Sequence, residues 1–208
     1  MKGAPFLVTM LVLAVAPPVV AGSSEPIVTV RTYNYARVAA DGLANARVTA
    51  DGIFKDAGVS LVWADCRVPQ RDVGDRCIAP LDRGRNLILR LMEVGVGGPA
   101  PGTRILALGT SMVDHERRGG VMMTVDPLTI HAIASTVQTD VWTVLGRAIA
   151  HEIGHLLLGT AEHPTTGLMR ARWSHDELSG IRPAHWRFSP GEAAQMRRGL
   201  AMKAPSAN

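Results

Sequence analysis

The chain has 208 residues, which suits one domain of ordinary size with a sizeable core. Its 22 Lys and Arg against 18 Asp and Glu leave a formal charge of +4, and only 4% of the residues are aromatic. The basic residues are scattered, with small clusters at Arg117-Arg118 and Arg197-Arg198, and no aromatic residue adjoins either cluster. That excludes the stacking platform of a nucleic-acid binder.

The first segment in chain order reads as a leader. Lys2 supplies a positive charge, Phe6 to Ala16 form a short apolar run, and small residues follow Pro17-Pro18 at Val19-Val20-Ala21. This pattern predicts a secretory signal peptide over 1–22, cleaved near Ala21 or Gly22, and a single mature domain over 23–208. The run is broken by two prolines and falls short of the roughly 20 residues that span a bilayer. No stable membrane insertion is expected after cleavage, and a secreted or periplasmic location is. Cys66 and Cys77 lie in a polar loop with Pro69 and Gly74 between them. In an exported protein an even count of this kind favours one disulfide. Oligomeric state is left open.

Ile27 to Tyr33 alternates as a strand does. Val38 to Ala57 is rich in alanine, with Leu43, Val48, Ile53 and Phe54 roughly on one face, and reads as a helix despite Gly42 and Gly52. Val59 to Trp63 and Asn86 to Met92 are the second and third strands, and Gly95 to Gly102 is a loop. Ile105 to Val113 and Gly120 to Val125 follow as strands, joined by a polar turn. Leu128 to about Leu158 is helical, as two helices or one helix bent around Gln138 to Asp140. From Gly159 on, mostly loop is expected until Pro190 opens a last helix to about Met202. The order describes an α+β domain with one mixed five-stranded sheet.

His151-Glu152-Ile153-Gly154-His155 stands in the long helix. Histidines four apart project from one face a turn apart, so both imidazoles can reach one metal at about 2 Å. Glu152 is rotated about 100° from His151, which sets its carboxylate beside a metal where it can accept a proton from water. Two surface histidines on an amphipathic helix would give the same spacing. Leu145, Ala148, Ile149 and Leu156 to Leu158 argue against that, because a helix this apolar is a core helix and buried histidines need partners. Zinc needs a third protein ligand. Gly159 can end the helix in a left-handed conformation and turn the chain back to His163, eight residues after His155.

From His151 through Gly159, with His163 and then Gly167-Leu168-Met169, the chain resembles the metzincin zinc peptidases, whose pattern is H-E-x-x-H-x-x-G-x-x-H and a later methionine in a tight turn. It also resembles small exported bacterial proteins that carry HEIGHLLLG, a later histidine and a GLM-R segment. The glycine comes one residue late and the third histidine two residues late. Met169 follows His155 by fourteen residues, as it does in matrixin-like members. The resemblance implies a metzincin-like zincin domain of a five-stranded sheet, two main helices including the active-site helix, a Met-turn and a C-terminal helix. It implies His151, His155 and His163 as Zn²⁺ ligands, Glu152 as the general base and Met169 as the turn methionine. A peptide or protein substrate would lie along an edge strand, either Ile105 to Val113 or Gly120 to Val125.

Other third ligands stay open. Glu177, twenty-two residues past His155, has the spacing of a glutamate ligand on a second helix, although Gly180 and Pro183 speak against a helix there. Glu162 and His175 are weaker candidates. From a different class comes a catalytically silent exported binding module that keeps the metal as a structural clamp. A clamp needs no base, and Glu152 is present.

Overall fold

The structure is a computed structural model that describes residues 25–67, 75–78, 80–81, 84–93, 108–180 and 183–202. The leader, the Gly95 to Gly102 loop and the start expected for the fourth strand at Ile105 lie outside the described residues. Five strands form one sheet: β1 (Ile27–Asn34), β2 (Ser60–Cys66), β3 (Asn86–Leu91), β4 (Gly109–Asp114) and β5 (Gly119–Val125). Their order is β2-β1-β3-β5-β4, with β4 alone antiparallel. The sheet is mixed, as expected, and β4 rather than β5 is its edge. Alternation carries Val28, Val30, Leu87, Leu89, Leu91, Met123 and Val125 into the main core.

Two long helices share that core, α1 (Ala40–Asp56) and the helix with the histidine pair. A short α2 (Asp75–Ile78) follows β2. Beyond the sheet come α3 (Pro127–Thr136), α4 (Val141–Leu158), α5 (His175–Ser179), a 3-10 turn at Pro183–Trp186 and α6 (Pro190–Met202). The stretch from 128 to 158 is therefore two helices. Gln138 takes a φ of 52°, and Asp140 then caps α4 by accepting from the Thr143 N–H at 2.7 Å.

The segment from Gly159 to Pro190 is mostly loop, as expected, but α5 corrects the reading that Gly180 and Pro183 speak against a helix around Glu177. Ser174 and Glu177 form a reciprocal capping box, so a helix of five residues starts there, and Gly180 ends it rather than preventing it. Cys66 and Cys77 are disulfide-bonded, with their Cα atoms 5.7 Å apart. The buried Arg31 reaches across to the disulfide loop, donating to the carbonyls of Cys77 at 3.4 Å and Pro80 at 3.2 Å. Among the described residues no helix is long and apolar enough to cross a membrane.

Candidate metal centre

α4 is apolar almost throughout, and its buried face runs from Val144 to Leu158. His151, Glu152 and His155 are buried within it. Gly159 ends the helix at φ 67°, in the left-handed region that a side chain disfavours, with its N–H on the His155 carbonyl at 2.9 Å. The chain then doubles back and brings His163 to the same point. His155 Nε2 lies 3.0 Å from His151 Nε2 and 3.1 Å from His163 Nε2. Among the described residues these three are the one group able to hold a metal ion.

The other ring nitrogens decide what faces inward. His151 Nδ1 lies 2.9 Å from the Leu168 carbonyl, and His155 Nδ1 lies 2.8 Å from the Thr160 carbonyl. A carbonyl only accepts, so each Nδ1 carries the proton and each Nε2 turns a bare lone pair toward its neighbours. Lone pairs at 3.0 Å repel unless a cation stands between them. Four ligands held at about 2.0–2.1 Å by a tetrahedral zinc ion are about 3.3–3.4 Å apart, close to the spacing here. The donor set fits zinc. Burial pulls the His151 pKa down to about 4, against the Leu168 carbonyl and with His155 and His163 lowering it further. Burial also lowers that of His155, opposed by the Thr160 carbonyl. Both rings are thus neutral, as ligands must be.

Glu152 points toward the edge strand. Its carboxylate accepts from the Ser111 hydroxyl at 2.5 Å, and burial pushes its pKa up to about 7 against the pull of that bond. Gly109 on the same strand leaves the room: a Cβ there would sit 2.8 Å from Glu152 Cγ. Met169 is fully buried under α4, where a Cβ on Gly154 would come within 2.6 Å of its sulfur. The turn before it supplies Leu168, whose carbonyl orients His151 and also accepts from Trp173 Nε1 at 3.3 Å. An 810 Å³ cavity opens beside the triad, between β4, α3 and residues 170–175.

The rival third ligands are elsewhere. Glu177 is taken by Arg170 and by the N-terminus of α5, and the Arg170 contact, aided by the Ser174 N–H, holds its carboxyl down at about 2. His175 faces Asp176, and Glu162 is exposed outside the triad. Ser111 and the Leu168 carbonyl were not singled out from sequence. The strand alternation that puts Gly109, Ser111 and Val113 on one side was the available signal for Ser111, whereas a backbone carbonyl leaves none.

The fold matches that of archaemetzincin. The solved structure of archaemetzincin from Methanopyrus kandleri aligns with 88% of this chain and 99% of its own, at a TM-score of 0.51 and 15% identity. Identity at that level speaks for the fold alone. No family model matches the chain, and no curated protein does.

Proposed function

We propose that the chain is a zinc-dependent endopeptidase, with His151, His155 and His163 as the zinc ligands and Glu152 as general base. The observation that carries this reading is the convergence of three histidine Nε2 atoms, two of them with bare lone pairs, beside a buried carboxylate, at a cavity that follows an edge strand. Zinc bound there supplies Lewis-acid polarisation of the substrate carbonyl and acidifies water. Glu152 accepts the proton of the attacking water and later returns it to the leaving amine. Met169 closes the site from below without ligating, since a thioether suits softer metals than this histidine set.

The outer edge of β4 suits an extended peptide or protein substrate, which would add to the sheet as a further strand. A secreted or periplasmic location, reached through the 1–22 leader, belongs to the same reading, and the Cys66–Cys77 disulfide supports it. The test is metal analysis of the mature chain and of His163→Ala, with cleavage of a peptide library read by mass spectrometry. About one zinc per chain is expected, with weakened binding in His163→Ala. Glu152→Gln should retain zinc and lose about 10²–10⁴-fold in turnover. Full zinc affinity in His163→Ala removes that residue from the site. Equal cleavage by Glu152→Gln rejects the mechanism. Zinc binding without cleavage by any form favours the clamp.

A further inference from the structure

The carboxylate of Glu152 is held from the opposite wall of the site by the edge strand. In β4, Gly109, Ser111 and Val113 are partly buried and border the cavity, while Thr110 and Met112 are exposed. Ser111 Oγ lies 2.5 Å from Glu152 Oε2 and 2.9 Å from the Glu152 carbonyl. A hydroxyl has one proton to give, and the nearer, charged acceptor takes it. Among the described residues Ser111 is the carboxylate's one hydrogen-bond partner. Gly109 shapes the other side, since a Cβ there would meet Glu152 Oε1 at 2.9 Å and the Thr124 carbonyl at 2.9 Å. The carboxylate therefore sits in a slot made by two alternate residues of one strand.

We infer that Ser111 is a positioning residue for Glu152, linking the edge strand where substrate would pair to the group that moves the proton. The inference rests on the peptidase reading and names a device within it. A glutamate side chain has three rotatable bonds, and α4 fixes only where they begin. With the Ser111 bond removed, the carboxylate keeps its burial and its place on the helix but loses the contact that selects one orientation. Zinc ligation involves none of these atoms and should be untouched. The same strand offers its outer edge to a peptide, so a substrate that orders β4 also steadies the base.

The experiment compares Ser111→Ala and Ser111→Thr with the wild type and with Glu152→Gln. Loss of a partner that orients a reacting group typically costs about 10–100-fold. Ser111→Ala should lower kcat by that order and leave KM and the zinc dissociation constant unchanged. Ser111→Thr, which keeps the hydroxyl, should restore kcat. Infrared spectra of protein carrying isotope-labelled glutamate give a reading apart from activity. The Glu152 carboxylate band, identified by its absence in Glu152→Gln, should shift in Ser111→Ala and not in Ser111→Thr. Wild-type kcat in Ser111→Ala, or an unshifted band, overturns the inference. So does loss of zinc, which would make the role structural. Should Ser111→Ala fail to fold, Ser111→Thr and Ser111→Val carry the comparison, because they share a shape and differ in the hydroxyl. Equal activity in Glu152→Gln and wild type would instead sink the peptidase reading, and the infrared band alone would then judge Ser111.

Discussion

The glycine between the two helical histidines makes a quantitative test of how α4 sits on Met169. Replacing a helix-interior glycine by alanine favours folding by about 1 kcal/mol when the new methyl meets nothing. Gly52, exposed in α1, is such a position, because a Cβ there finds no atom within 4 Å. Gly154 is the opposite case. A Cβ there would lie 2.6 Å from Met169 Sδ, 2.7 Å from Phe188 Cε1 and 3.2 Å from Met169 Cε, and both side chains are buried. Ordinary contact begins near 3.4 Å, so both neighbours would have to move by most of an ångström. Overpacking of this kind costs about 1–3 kcal/mol. The gain in helix propensity is common to the two substitutions and cancels between them. Gly154→Ala should therefore lie about 1–3 kcal/mol below Gly52→Ala. Urea unfolding of the metal-free proteins, followed by circular dichroism and compared at equal m-values, measures that gap directly. Equal stability of the two variants would refute the close packing of Met169 under α4, and with it the role of this turn as the floor of the site.

Removing the disulfide by Cys66→Ala with Cys77→Ala should cost up to about 3 kcal/mol, the entropy that a loop of this length takes from the unfolded chain. Urea unfolding checks it, and unchanged stability would show that the bond constrains nothing. Glu177 makes a prediction about acid. Its folded pKa, held near 2 chiefly by Arg170, lies below that of an unfolded glutamate at about 4.3. A depressed carboxylate stabilises the fold above its unfolded pKa and loses that contribution as pH falls toward its folded one. The Tm difference between wild type and Glu177→Gln should accordingly be full at neutral pH and close between about pH 4.3 and 2. A difference that stays constant across this window would show that the ion pair is not the cause.

Much of the fold was legible because its signals are local. Short apolar runs located all five strands, and the apolar residues from Leu145 to Leu158 identified a core helix. The break between α3 and α4 was visible only as a region, since Gln138 in a left-handed conformation is not a residue that announces a turn. α5 was missed because Gly180 and Pro183 were read as breakers over too wide a range, while the Ser174 to Glu177 capping box, a real start signal, was not weighed. In the site, His151, Glu152 and His155 follow from one helical repeat. The Ser111 bond joins residues 41 apart in sequence, and strand alternation gives the side Ser111 faces but not its partner.

The spacing of the three histidines has a physical reason in the loop after α4. That loop is pinned at both ends by the two helical histidines. At one end the Thr160 carbonyl accepts from His155 Nδ1, and at the other the Leu168 carbonyl accepts from His151 Nδ1. Each contact fixes a tautomer and turns an Nε2 lone pair toward the same point. The span between the two carbonyls must therefore carry the chain from the C-terminus of α4 back over one helical turn, whichever residue in it is the histidine. His163 lies in that span, in a stretch exposed enough to tolerate a shift, and reaches 3.1 Å from His155 Nε2. The position of a third ligand is then set by side-chain reach, while the length of the loop is set by the two backbone carbonyls. A change in loop length would therefore disturb both helical histidines at once.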